Sequence, residues 1–201
     1  MAIEAVIGLG NPGDQYARTR HNAGFEVVDR VWSRLRGGEW KRVHRSLVSR
    51  SRRGRPVVLA KPQTFMNRSG VAMASLTVGE GLTPDQVLVV VDDVDLPLGA
   101  VRMRKSGGPG THNGLRDIVA AVGTGFPRLR VGVRGESVGT DLADYVLAPF
   151  DKDEEEAVEA MFDIAAEAVV TAVLKGVGAA MNRFNSMPSR GGDVTGTDGG
   201  G

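Results

Sequence analysis

The chain has 201 residues, the size of one ordinary domain, and contains no cysteine, which excludes disulfide bonds and thiolate catalysis. Its net charge is +1, but residues 1–150 hold 21 lysines and arginines against 14 acids, whereas residues 151–201 hold 4 against 10. A basic body favours a polyanionic partner such as nucleic acid, although a solvated charged surface gives the same pattern. No basic leader precedes the first apolar run, and the longest such run, residues 87–91, is far too short to cross a membrane. We therefore predict a cytoplasmic protein without a membrane segment.

The amino-terminal part of the chain predicts a strand, a turn, a helix and a hairpin. An apolar strand over residues 5–9 runs into a turn rich in glycine and proline. Apolar side chains then recur with the helical period over residues 25–36, and Gly37 and Gly38 end this helix. Residues 40–55 combine arginines with apolar residues and predict an edge hairpin, whose arginines either contact RNA or guard the edge against aggregation.

The rest of the chain alternates between strands and helices. Further strands are predicted over residues 56–61, 87–91, 101–105 and 128–133, and further helices over residues 69–78, 115–122, 151–175 and 177–184. This alternation predicts an α/β fold: a single domain over residues 1–185 with a mixed, mostly parallel twisted central sheet flanked by helices. Residues 186–201 are rich in glycine, serine, threonine and aspartate, and they predict a disordered tail.

Two short motifs suggest functions that their surroundings do not support. Gly8, Gly10 and Gly13 have the spacing of a dinucleotide fingerprint, but that motif needs a helix opening at the last glycine, and the helical period begins only near residue 25. Residues 135–139 match the G-x-S-x-G motif of serine hydrolases, in which the catalytic histidine follows the serine. No histidine follows His112, so this match predicts no activity.

Five polar residues follow predicted strand ends and predict a hydrolytic site. They are His21, Asp92, Asn11, Asn67 and Asn113. Because ligands of parallel sheets bind beyond the carboxyl ends of the strands, we expect these side chains to share one cleft. His21 can take a proton from water, Asp92 can accept from its other ring nitrogen, and asparagine amides can stabilise an oxyanion. The pattern predicts hydrolysis of an ester or amide by activated water.

Two plainer interpretations apply to the same residues. A helix start capped by Asn22 explains that residue but leaves His21 without a role. A metal site has little support, because the three histidines are scattered along the chain and show no ligand spacing. We therefore predict no metal and no cofactor.

Several motifs together resemble those of bacterial-type peptidyl-tRNA hydrolases, in order from about residue 3 to residue 185. They are Gly8-Leu9-Gly10-Asn11-Pro12-Gly13, Tyr16 with Thr19-Arg20-His21-Asn22, Thr64-Phe65-Met66-Asn67-Arg68-Ser69-Gly70, Asp92-Asp93-Val94-Asp95-Leu96-Pro97 and His112-Asn113-Gly114-Leu115. The resemblance implies a monomeric α/β enzyme that cleaves the ester between a peptide and the terminal adenosine of tRNA. Thr111 stands where family members often have glycine, and Pro109 stiffens the same loop.

The resemblance also implies a role for each site residue. It implies His21 as the base and Asp92 as its partner. The residues implied to hold or line the peptidyl and terminal-adenosine end are Asn11, Tyr16, Phe65, Met66, Asn67 and Asn113. Lys105 and Arg130 match positions that grip tRNA phosphates. The family also has relatives that bind RNA without hydrolysis, and the presence of both His21 and Asp92 favours the enzyme.

Overall fold

The structure is a computed structural model that describes residues 2–136 and 141–187. It contains a seven-stranded sheet in the order β2-β3-β4-β1-β5-β7-β6. The strands are β1 (Ala5–Gly8), β2 (Lys41–Val43), β3 (Ser46–Arg50), β4 (Val58–Pro62), β5 (Val87–Pro97), β6 (Val101–Arg104) and β7 (Arg128–Arg134). The four inner strands β4, β1, β5 and β7 are parallel, whereas β2, β3 and β6 are antiparallel to their neighbours. The mixed, mostly parallel α/β sheet predicted from the sequence is confirmed.

Helices cover both faces of this sheet. They are α1 (Ala23–Arg34), α2 (Ser69–Glu80), α3 (Asn113–Val122), α4 (Leu142–Leu147), α5 (Glu155–Lys175) and α6 (Val177–Phe184). Alternate residues of β5 divide the core: Leu88 and Val90 pack with α1, α5 and α6, whereas Val89 and Val91 pack with α2 and α3. A central strand buried on both faces explains the continuous apolar run in the sequence. No helix among the described residues is both long and apolar enough to cross a membrane.

The structure extends or adds elements where the sequence pattern is polar or short. β5 continues through the acidic residues to Pro97, with a register shift after Asp93, because β7 continues to pair with it there. α4 was not predicted: it has six residues, too few to show a helical period, and the Asp141 carboxylate caps it by accepting from Ala143 N and Asp144 N. The arginine-rich hairpin lies at the sheet edge as predicted. Most of the predicted tail, residues 188–201, and the serine of the G-x-S-x-G match lie outside the described residues.

Candidate active site

The glycines after β1 allow α1 to pack against the sheet. A Cβ at Gly8 would lie 2.1 Å from Gly24 O, and a Cβ at Gly24 would lie 2.4 Å from Leu9 N. Gly13 has a φ of 113°, which glycine adopts without strain. The chain then makes two 3-10 turns, Asp14–Tyr16 and Arg20–Asn22, before α1 begins at Ala23. No α-helix opens at Gly13, so the glycines do not form a dinucleotide phosphate site; Gly8 and Gly10 serve close packing, and Gly13 serves the turn.

His21, Asp92 and His112 form one hydrogen-bonded group. His21 lies in the 3-10 turn before α1, Asp92 lies in β5, and His112 precedes α3. His21 Nδ1 lies 2.9 Å from Asp92 Oδ2, and His112 Nε2 lies 2.9 Å from Asp92 Oδ1. The side chain of Asp92 is 1% exposed, and those of the two histidines are each 11% exposed. Both imidazoles therefore meet one buried carboxylate.

A backbone amide determines the protonation of His112. Leu115 N–H can only donate, and it donates to His112 Nδ1 at 3.2 Å. A neutral His112 therefore carries its proton on Nε2 and donates it to Asp92.

The charge of Asp92 then determines the tautomer of His21. Burial raises the pKa of Asp92, but attraction to His112 and His21 and hydrogen bonds from both outweigh burial and hold this pKa well below its ordinary range. An ionised carboxylate only accepts hydrogen bonds, so His21 donates from Nδ1. In the neutral form of His21 the proton is therefore on Nδ1, and the lone pair of Nε2 is free to take a proton, as a general base requires.

The same three residues offer the donor atoms that a transition metal uses, with ligand atoms within 4.8 Å of one another. The sequence argument that the scattered histidines cannot form a cluster is therefore wrong, because the loop before α3 brings His112 onto Asp92 in the middle of β5. The hydrogen bonds nevertheless suit protons better than a metal. A metal on His112 Nε2 would place the proton on Nδ1, against the Leu115 N–H that now donates there. Ligating histidines normally donate their other N–H to an acceptor.

Asn11 is held rigidly beside this group. Asn22 Oδ1 accepts from Asn11 N at 2.8 Å, and Asn22 Nδ2 donates to Asn11 O at 3.0 Å. Asn22 thus orients Asn11, and its side chain does not cap α1. Asn11 Oδ1 accepts from Met66 N at 2.7 Å. Since its oxygen is engaged, the amide nitrogen of Asn11 is the group that can face a ligand, and it has no partner among the described residues.

These side chains line one cleft of about 590 Å³ beyond the carboxyl ends of β1, β4 and β5. The predicted site residues that line it are Asn11, His21, Phe65, Met66, Asn67, Asp92, Asn113 and Arg130. Tyr16 reaches the same region through Phe65, since the two rings meet edge to face with centroids 6.3 Å apart. Asn67 and Phe65 are exposed, whereas Met66 is 4% exposed and packs into the core beneath the segment that carries them.

Comparison with known proteins identifies the family. The family model for peptidyl-tRNA hydrolase matches residues 5–191. The chain belongs to the peptidyl-tRNA hydrolase family. It is 45% identical to the peptidyl-tRNA hydrolase of Roseiflexus sp. (strain RS-1), over 92% of this chain and 87% of that protein. It is 46% identical to that of Rubrobacter xylanophilus, over 90% of this chain and 99% of the relative. The family predicted from the sequence motifs is confirmed.

A solved structure agrees with this assignment. The crystal structure of peptidyl-tRNA hydrolase from Acinetobacter baumannii superposes with a TM-score of 0.85 at 34% identity, covering 92% of this chain and 95% of that one. The α/β fold and the enzyme class are therefore those of the peptidyl-tRNA hydrolases.

Sequence reasoning missed two features of the cleft in this member of the peptidyl-tRNA hydrolase family. The first is His112, which lies inside a recognised motif from which only Asn113 was given a role. The second is an apolar wall from α4, formed by Leu142, Ala143, Val146 and Leu147. His112 carried a sequence signal, namely a histidine next to a predicted site asparagine, whereas α4 carried none.

Buried Arg20 connects the base to the α4 wall. Its guanidinium donates to Glu154 Oε2 at 2.7 Å and to Pro149 O, and it lies 4.3 Å from the centre of the Tyr145 ring. Arg20 immediately precedes His21, and Pro149 and Glu154 follow α4. The segment after α4 is therefore fastened to the turn that carries His21.

The two predicted phosphate contacts lie in different places. Arg130 lines the cleft, whereas Lys105 lines a smaller cavity of about 270 Å³ with Ile3, Asp85 and Pro127. Ile3 and Pro127 precede β1 and β7, so Lys105 lies at the amino-terminal edge of the parallel strands, opposite the cleft. The phosphate roles of both residues stay predictions.

Proposed function

We propose that this chain hydrolyses the ester between the peptide and the 3′-terminal adenosine of peptidyl-tRNA, with water activated by His21. Membership of the peptidyl-tRNA hydrolase family supports the reaction and its substrate. The observation that carries the mechanism is the hydrogen-bonding pattern around Asp92, which places the proton of a neutral His21 on Nδ1 and leaves Nε2 as the basic nitrogen beside the cleft.

The reaction would proceed by general base catalysis. His21 Nε2 takes a proton from a water molecule as the water oxygen attacks the ester carbonyl, and ionised Asp92 stabilises the imidazolium that forms. The Asn11 amide nitrogen, fixed by Asn22 and Met66, is suited to donate to the developing oxyanion. When the tetrahedral intermediate collapses, the proton returns from His21 to the ribose oxygen that leaves. The products are the free peptide acid and free tRNA.

Neutral donors at the reacting end and cations farther out fit the two parts of this substrate. Asn11, Asn67 and Asn113 carry no charge, as suits a peptide and a nucleoside, whereas Arg130 can pair with a phosphate. Exposed Phe65 offers a ring face for the adenine or an apolar side chain. No group in this scheme needs a metal or a cofactor. The proposal places the reaction in the cytoplasm and in a monomeric enzyme.

Release of tRNA from an N-blocked aminoacyl-tRNA tests this function, with the protein pretreated with EDTA to remove transition metals. We expect the wild type to hydrolyse the ester and His21→Ala to lose about 10²–10⁴-fold in rate with its fold intact. Near-normal turnover by a folded His21→Ala variant would reject His21 as the base. Salt-sensitive tRNA binding without ester cleavage by the wild type would favour an RNA-binding protein instead. Loss of activity after chelation that Zn²⁺ restores would contradict the metal-free mechanism.

A further inference from the structure

Arg130 is the only lysine or arginine among the described residues that line the cleft, and it already has acidic partners. Its Nε faces Asp93 Oδ2, and its Nη2 lies 3.9 Å from Asp95 Oδ2. The side chain is 33% exposed, so one side of the guanidinium remains open to the cleft and to solvent. Any anion that binds Arg130 must therefore compete with carboxylates of the chain itself.

The two carboxylates hold Arg130 in different ways. Asp93 is 6% exposed, and its Oδ1 accepts from Asp95 N at 2.9 Å, so its position is fixed by the backbone. The Asp95 side chain is 63% exposed and reaches Arg130 only at the long distance of 3.9 Å. A buried, hydrogen-bonded carboxylate orients the guanidinium, whereas an exposed and distant one is readily exchanged.

The neighbouring cations lack such partners. Arg102 lies directly across from Arg130 in the β6–β7 pair, and Arg104 lies across from Arg128. Neither Arg102 nor Arg104 has an acidic partner among the described residues, and Arg128 is buried with its guanidinium bound to backbone carbonyls. Within this row of arginines, the carboxylate countercharge is concentrated at Arg130, the member that lines the cleft.

We propose that Asp95 is a carboxylate placeholder, which occupies the exposed side of Arg130 until an RNA phosphate replaces it. This inference rests on the proposed function, in which Arg130 binds a tRNA phosphate. Phosphate offers the guanidinium a bidentate, doubly hydrogen-bonded partner, which a carboxylate at 3.9 Å does not. Weak anions gain too little to displace Asp95, so the placeholder makes Arg130 selective for phosphate at some cost in affinity.

The affinity of unacylated tRNA for the Asp95→Asn variant tests the placeholder. The amide keeps the shape of the side chain and removes its charge, and we expect affinity to rise about two- to fivefold, the strength of an exposed ion pair. Asp14→Asn is the matched control, because Asp14 is exposed, also follows a strand end, and has no ion pair among the described residues. Asp14→Asn changes the net charge by the same amount as Asp95→Asn, and we expect it to raise the affinity for tRNA less.

The double variant Asp95→Asn/Arg130→Ala distinguishes a local effect from a general one. If Asp95 acts through Arg130, the gain in affinity disappears in the Arg130→Ala background. A gain that persists there, or that Asp14→Asn reproduces, would overturn the proposal in favour of a general charge effect. Weaker binding by Asp95→Asn would overturn it too, since Asp95 would then assist Arg130. Unchanged affinity of Arg130→Ala alone would remove the premise, while ester hydrolysis by the wild type would still support the proposed reaction.

Discussion

At position 92, both His21 and His112 donate to one carboxylate, so a neutral amide there could accept from only one of them. An asparagine keeps one acceptor oxygen but turns an NH₂ donor toward an imidazole N–H, and it has no charge to stabilise an imidazolium. We expect Asp92→Asn to slow hydrolysis of an N-blocked aminoacyl-tRNA, though less than His21→Ala, because the base itself remains. The measurement is kcat for both folded variants.

Asp93 provides the matched control for this prediction. It is the next residue and is also an acid, but its carboxylate faces Arg130 and the Asp95 amide, not the histidines. Burial raises the pKa of Asp93, which further separates its electrostatics from those of Asp92. Asp93→Asn should therefore leave kcat closer to that of the wild type. A larger loss of kcat from Asp93→Asn than from Asp92→Asn would show that the partner of the base is misassigned by one position.

Arg20 illustrates how much the cleft wall depends on one buried charge. Its side chain is 2% exposed, and Arg20→Gln would leave the largely buried Glu154 carboxylate without its cation. We expect a loss of about 3–5 kcal/mol in the free energy of unfolding, as for other broken buried ion pairs. Arg18→Gln, two residues earlier, should change the free energy of unfolding by less than about 0.5 kcal/mol. The Arg18 side chain is 71% exposed, and its ion pair with the exposed Glu159 is long, at 3.6 Å. Urea denaturation of both variants compares them, and equal losses would refute this account.

At the scale of elements, the contact of α1 with β1 and β5 positions the base. A Cβ at Gly24 would lie 2.4–2.6 Å from backbone atoms of Leu9 and Val90, and backbone atoms of a central sheet cannot move aside. We expect Gly24→Ala to lower the free energy of unfolding by about 1–3 kcal/mol and to reduce kcat by displacing the turn that carries His21. Gly178→Ala in α6 is the control, because nothing lies within 4 Å of its added methyl group, and alanine favours a helix. Circular dichroism melts and kcat test both, and a neutral Gly24→Ala would contradict the packing argument.

The sequence predicted those elements and residues whose signal is local. β1 and the first part of β5 are continuous apolar runs, and α5 has a buried stripe with helical spacing, so their patterns alone identify them. His21 and Asp92 are 71 residues apart, but each follows a predicted strand end, and parallel strands bring such positions to one edge.

Features that depend on distant contacts left no such signal. His112 is the N-cap of α3, a role that accounts for it without any catalytic function. Its second contact, with Asp92, appears only once the loop is folded. Nothing in the sequence around Arg20 indicates that its partners lie 131 and 134 residues later, or that α4 stands across the cleft. The late start of the helical period spoke against a dinucleotide role for the glycines after β1, but only the packing of α1 shows what Gly8 does instead.

At the scale of the whole molecule, the charge asymmetry of the sequence has a structural counterpart along the β6 edge. Val101 and Met103 of β6, like Leu129 and Val131 of β7, belong to the core on the α5 side of the sheet. The alternating residues, Arg102 and Arg104, therefore face the same side as Arg130. This row runs from the cleft toward Lys105, which follows β6. An RNA strand along this edge would meet cations from the reacting end to the opposite side of the sheet.

Replacing the cations at the two ends of this row tests whether the edge binds tRNA phosphates. We expect Arg130→Ala and Lys105→Ala each to weaken the binding of every tRNA by a similar factor and to flatten the plot of log affinity against log salt, because each lost phosphate contact releases one counterion fewer. Lys41→Ala is the control, since Lys41 is an exposed cation in β2, at the edge of the sheet opposite β6. Affinities are measured at several salt concentrations, with melting temperatures recorded for each variant. If Arg130→Ala flattens the slope and Lys105→Ala does not, the bound RNA ends before the amino-terminal edge of the sheet. If both slopes are unchanged while both melting temperatures fall, the two cations support the fold and do not contact tRNA.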